Sequence, residues 1–95
     1  MLTDVQARVR ELGRKAFTST AIDTAQDELG MTVEEVINFI CSRTDTLCYK
    51  TMKSQKLAGA YMDVYHWLCP NSTQMAYIKV SLHPDSKVII SFKEL

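Results

Sequence analysis

The 95-residue sequence carries no net charge, no C-x-x-C cysteine spacing and no long apolar run, and each absence removes a class of protein. Without an apolar stretch near the roughly 18 residues that a membrane span requires, no transmembrane segment is expected. The start, Met1-Leu2-Thr3-Asp4, runs straight into charged residues with no apolar core, so no signal peptide is expected and the chain reads as cytoplasmic. Three cysteines, Cys41, Cys48 and Cys69, are an odd number and make a poor disulfide framework. With only His66 and His83 to assist, they do not form a zinc pattern either, so no metal and no cofactor is expected. The cysteines read as small buried or half-buried hydrophobes, and spacing gives no support to a nucleophilic pair of Cys48 or Cys69 with His66. Internal repeats and low-complexity segments are also missing.

What is present is the composition of an ordinary globular protein, 46% hydrophobic and 23% charged, which argues against disorder. The length suits one domain with one core, taken here as residues 1–95. Neutrality hides a split. Residues 1–45 hold five basic and eight acidic side chains, a balance of −3, while residues 46–95 hold six lysines against three acids, a balance of +3. Opposite charge on two halves suggests two surfaces with two different partners.

The first half reads as helices. Leu2, Val5, Val9 and Leu12 recur at spacings of three and four, and Gly13 ends that pattern. Ala21, Ile22, Ala25 and Leu29 form a second stripe, with N-cap candidates at 18–20, Asp23 near its start and Gly30 after it. Thr32-Val33-Glu34-Glu35 is a capping box that opens a third helix with Val33, Val36, Ile37, Ile40 and Cys41 on one stripe. Helices this short need something to pack on.

The second half changes period. Ala76, Ile78, Val80 and Leu82 alternate with Tyr77, Lys79 and Ser81, and Val88, Ile90 and Phe92 alternate with Lys87, Ile89, Ser91 and Lys93. His83-Pro84-Asp85-Ser86 between them is turn chemistry, so the two segments form a hairpin. Tyr61 to Leu68 is a further strand, Leu47 to Met52 a less regular one, and Lys53 to Gly59 a loop with two lysines. The expected fold is α+β: three N-terminal helices, residues 1–45, cover the apolar face of an antiparallel sheet, residues 46–95.

On the other face the alternation puts Tyr77, Lys79, Ser91 and Lys93 together. Alternation alone does not separate a site from an ordinary solubilising surface. Four motifs add information: Tyr49-Lys50-Thr51-Met52, Met62-Asp63-Val64-Tyr65, Tyr77-Ile78-Lys79, and Val88-Ile89-Ile90-Ser91-Phe92-Lys93-Glu94. In this order and spacing they resemble the MqsR family of bacterial toxins, and the resemblance runs from about Phe17 to Glu94.

The resemblance implies a RelE-like fold, cleavage of messenger RNA without a metal, and neutralisation by a cognate antitoxin protein. It places Lys50, Tyr77 and Lys93 at the family's functional positions. Their chemistry suits the task, because attack of a 2′-hydroxyl on the adjacent phosphate builds negative charge that fixed ammonium groups stabilise. Tyr77 is expected to orient a phosphate oxygen or donate a proton, since an ordinary phenol is a poor base at neutral pH. Lys53 and Lys79 are expected to contact RNA phosphates, and Tyr61 to contact RNA.

This sequence departs from the family pattern at two places. Met62 and Tyr61 stand where the family has glutamine and tryptophan, and His66-Trp67-Leu68 replaces a run with two arginines. His66 shares a strand face with Met62 and is of the residue type that exchanges protons near neutral pH, so it is a candidate acid–base catalyst. Two other readings stay open at this point. One is a catalytically degenerate RNA- or protein-binding module of the same fold. The other is a protein-interaction domain that exposes Tyr61, Tyr65 and Trp67.

Overall fold

A computed structural model of the chain describes residues 2–44, 48–53, 60–70 and 72–95. Three helices come first: α1 (Leu2–Leu12), α2 (Ser19–Leu29) and α3 (Val33–Ser42). Four strands follow, β1 (Lys50–Lys53), β2 (Tyr61–Leu68), β3 (Met75–Ser81) and β4 (Ile89–Glu94), in one antiparallel sheet of order β1-β2-β3-β4. The α+β arrangement expected from the change of hydrophobic period is therefore the one observed.

Local chemistry sets the helix boundaries. Gly13, at φ 58°, opens a 3-10 turn (Gly13–Ala16) directly after α1. Thr18 caps α2 by accepting the Ala21 amide at 3.0 Å, and Gly30 closes α2 in the left-handed conformation at φ 65°. The capping box of α3 is complete, with the Glu35 amide donating to the Thr32 hydroxyl and the Thr32 amide to the Glu35 carboxylate. At the other end of α3 the Arg43 amide donates to the Ile40 carbonyl, and the Gln6 side-chain amide donates to that carbonyl and to the Arg43 carbonyl.

One core lies between the helices and one sheet face. Val5, Val9, Ala21, Ala25, Val36 and Ile40 pack there with Ile78, Ile89 and Phe92. Phe39 stands edge-on to both Trp67 (5.8 Å between centroids) and Phe92 (6.2 Å), tying α3 to β2 and β4. Tyr65 and Trp67 are 3% and 2% exposed, and the Arg43 guanidinium lies over the Trp67 ring. This overturns the reading of Tyr61, Tyr65 and Trp67 as an exposed interface. Register assigns Tyr65 and Trp67 to the face of Ile78 and Ala76, under the helices, and only Tyr61 is exposed.

The far edge of the sheet is closed by α2. Thr18 and Thr24 donate their hydroxyls to the Ile90 and Phe92 carbonyls of β4 at 2.9 and 2.7 Å. The Thr18 amide donates to the Ile89 carbonyl, the Val88 amide to that of Ala16, and the Glu94 amide to the Glu28 carboxylate. Backbone groups that would otherwise template another strand are thus satisfied within the chain.

Three strand expectations need correction. The strict alternation from Val88 to Lys93 breaks at a bulge: Lys79 faces Ser91 and Val80 faces Ile89, so Ile90 is passed over. Val88 and Ile89 are consequently both buried, and Ile90 is not the inward residue that the pattern placed between Val88 and Phe92. The first strand starts at Lys50, with Cys48 and Tyr49 outside it; Leu47 lies outside the described residues. Lys53 belongs to β1 and not to a loop, and the remainder of the expected loop, residues 54–59, lies outside the described residues.

Candidate functional site

The sheet face turned away from the helices collects the charged half of the alternation. His66 pairs with Tyr77, and Tyr77 pairs with Lys93, so one cross-strand row carries an imidazole, a phenol and an ammonium group. The rings of His66 and Tyr77 are 5.8 Å apart, and the Lys93 Nζ lies 5.3 Å from the Tyr77 ring centroid. The neighbouring row is Lys50, Val64, Lys79 and Ser91. Lys50, His66, Tyr77, Lys79 and Lys93 are therefore brought onto one surface by four strands.

Charge on this face has one sign. At the described strand positions of the same parity, none is Asp or Glu; Asp63 and Glu94 fall on the opposite parity. Asp63 is moreover held at the β1–β2 edge, where it accepts the Thr51 hydroxyl at 2.9 Å. Three ammonium groups without a carboxylate among them create a positive potential that attracts an anionic polymer. Three of the six lysines of the second half are on this face.

Lys53 and Tyr61 do not join this group. They pair with each other across β1 and β2, but with the opposite parity, and Tyr61 borders a small cleft with Val5, Asp63 and Val80 toward α1. Met62 does share the face, opposite Met52 and Ser81. Val64 and Ser81 lie on the same face and are buried.

One member of the cluster was not singled out as a site residue from sequence. The Tyr49 ring stacks on His66 at 3.9 Å between centroids and 23° between planes, with the Lys50 Nζ 5.9 Å from it. Strict alternation would send Tyr49 to the face opposite Lys50. It does not do so because Tyr49 precedes the strand, in a bend, while its amide still donates to the Val64 carbonyl at 2.7 Å. The only sequence signal was its place at the head of the Tyr49-Lys50-Thr51-Met52 motif.

The cysteines do not supply a nucleophile to this site. Cys69 is buried beyond the end of β2, and burial, with Glu94 adding to it, raises its thiol above the ordinary range, the reverse of activation. Cys48 is exposed, with its thiol directed at the Lys50 and Val64 carbonyls. Among the described residues no group of three His, Cys, Asp or Glu side chains is arranged to hold a metal ion. A surface cleft of about 510 Å³ lies elsewhere, between the α2–α3 and β2–β3 turns, and is lined by none of the site residues. No described helix is long and apolar enough to cross a membrane.

The family described as "Motility quorum-sensing regulator, toxin of MqsA" matches residues 1–94. The chain belongs to the MqsR toxin family. It is accordingly a toxin of a toxin–antitoxin system, with a cognate antitoxin as its partner. No curated protein and no solved structure gives a significant match. Lys50, Tyr77, Lys79 and Lys93, which lie in the stretches that resemble the MqsR motifs, are four of the five expected side chains that meet on the open face.

Proposed function

We propose that this toxin cleaves messenger RNA by intramolecular transesterification on the open sheet face. The observation that carries the reading is the His66–Tyr77–Lys93 row, with Lys50 and Lys79 in the row beside it. In the proposed reaction the 2′-oxygen bonds to its own 3′-phosphorus while the bond from phosphorus to the 5′-oxygen of the next nucleotide breaks. The 2′-hydroxyl proton leaves to a base, and the departing 5′-oxygen takes up a proton. Products are a 2′,3′-cyclic phosphate and a free 5′-hydroxyl.

Each role follows from residue type. Lys50 and Lys93 offer positive charge to the phosphorane oxygens as negative charge develops there. Tyr77, between His66 and Lys93, orients a phosphate oxygen or hands its proton to the leaving oxygen. His66, an imidazole on the same row, takes up the 2′-hydroxyl proton, for which a protonated lysine and a neutral phenol are poor bases. Lys79 holds the RNA backbone through salt-dependent contact. The reading locates this chemistry in the cytoplasm, where messenger RNA and the antitoxin are found.

A second reading is favoured by Met62. It shares the face with the cationic row but offers no hydrogen-bond donor, so a chain that has given up chemistry would still bind RNA. End-group analysis of the products decides between the two. Cleavage leaving 2′,3′-cyclic phosphate and 5′-hydroxyl ends is expected. Ends carrying a 5′-phosphate would overturn the mechanism, and RNA bound but left intact would leave the binding module as the function.

A further inference from the structure

Tyr49 is 61% exposed although one face of its ring lies against His66. Single exposed aromatics are common on protein surfaces and by themselves mean nothing. Tyr49 differs in its company. It ends a run of rings, Tyr49 on His66 at 3.9 Å and His66 beside Tyr77 at 5.8 Å. Ammonium groups flank both ends, Lys50 at 5.9 Å from the Tyr49 ring and Lys93 at 5.3 Å from the Tyr77 ring. Rings interleaved with fixed positive charge are what a single-stranded nucleic acid requires, because each base has a π-face and each phosphate a charge.

We infer that Tyr49 is the base platform of this site: a nucleobase of the bound RNA stacks on its ring, beside the phosphate that Lys50 and Lys93 hold. The inference rests on the RNA reading above and adds to it the residue that takes the base. Its physical basis is rigidity. Tyr49 is already stacked on His66, and its amide is bonded to β2, so little side-chain freedom is lost when a base arrives. The stack also fixes the imidazole plane, so the platform and the proton-exchanging group are positioned by one contact. Stacking tolerates any base, and Tyr49 therefore contributes affinity and placement, whereas sequence choice belongs to other groups.

The test uses two octanucleotides of equal charge, an oligoadenylate with 2′-O-methyl sugars, which cannot be cleaved, and the same backbone with every base removed. Binding of each to the full chain is measured by fluorescence anisotropy for wild type, Tyr49→Ala, Tyr49→Phe and Lys93→Gln, with thermal melts to establish folding. Tyr49→Ala is expected to weaken the oligoadenylate about 5- to 100-fold and to leave the abasic strand unchanged. Tyr49→Phe should bind as wild type does, and Lys93→Gln should weaken both strands by the same factor. Equal loss on both strands in Tyr49→Ala, or no loss on either, overturns the platform while the RNA reading stands. If wild type binds neither strand at low salt, the RNA reading itself fails and the platform with it.

Discussion

Thr18 performs two tasks with one hydroxyl, and replacing it separates them. Its oxygen accepts the Ala21 amide at 3.0 Å, capping α2, and its proton goes to the Ile90 carbonyl of β4 at 2.9 Å. Loss of an N-cap costs about 1 kcal/mol, and loss of a hydrogen bond to a part-buried carbonyl about 1 more. Thr18→Ala should therefore cost about 2 kcal/mol. A chain of this size has roughly 5–14 kcal/mol of stability in all, so the loss should lower Tm by about 8–16 °C. Thr18→Ser keeps both bonds and should stay near wild type. Thr18→Asp is the informative variant, because aspartate is as good a cap as threonine or better, yet its carboxylate has no proton for Ile90. Urea denaturation followed by the fluorescence of Trp67, the single and buried tryptophan, measures all three. The expected order is Ser above Asp above Ala. Thr18→Asp at or above wild-type stability would refute the account of the closed sheet edge.

Three further outcomes are expected. Trp67→Ala should cost about 3–5 kcal/mol in urea denaturation followed by far-ultraviolet circular dichroism, because Trp67 is packed against Phe39 and Tyr65 in the core; a change under about 1 kcal/mol would return it to the surface. His66→Gln should cleave about 10²–10⁴-fold more slowly at saturating RNA, and undiminished cleavage would remove His66 from the chemistry. Burial raises the thiol of Cys69, and burial followed by the charges of Asp63 and Cys48 raises the phenol of Tyr65. Both groups hold their protons more tightly folded than unfolded. Their contribution is thus complete below the ordinary thiol and phenol values and is lost as pH rises through them toward the raised ones. The urea midpoint should fall above about pH 9, and Tyr65→Phe should flatten the fall above about pH 10; an identical pH profile in that variant would contradict the assignment.

The parts of the fold that were legible from the residues are those with a local cause. Thr32 and Glu35 write their capping box in two positions, Gly30 marks the end of α2, and the change from period 3.6 to period 2 separates helices from sheet. The open face was legible for the same reason, since parity alone sends Tyr77, Lys79, Ser91 and Lys93 to one side and His66 to the side of Met62. What failed depended on pairing partners that one strand does not encode. The bulge at Ile90 arises between β3 and β4, so Val88 and Ile89 could not be read as both buried. Tyr65 and Trp67 look like exposed aromatics in isolation, and only the register with Ile78 and Ala76 puts them under α3. Lys53 and Tyr61 were grouped with the site by residue type, whereas parity separates them from it. Tyr49 was passed over because its ring reaches His66 through a bend that alternation does not describe.

The central claim is that the cationic row on the open sheet face cuts RNA with no metal ion. Its most direct test is a long messenger RNA incubated in EDTA with the purified chain, beside Lys93→Ala. Lys93 is exposed, so the variant should fold as wild type does. Discrete cuts by wild type, slowed about 10²–10³-fold in Lys93→Ala, are the predicted result. Intact RNA with folded wild type, or equal cutting by both proteins, would contradict it.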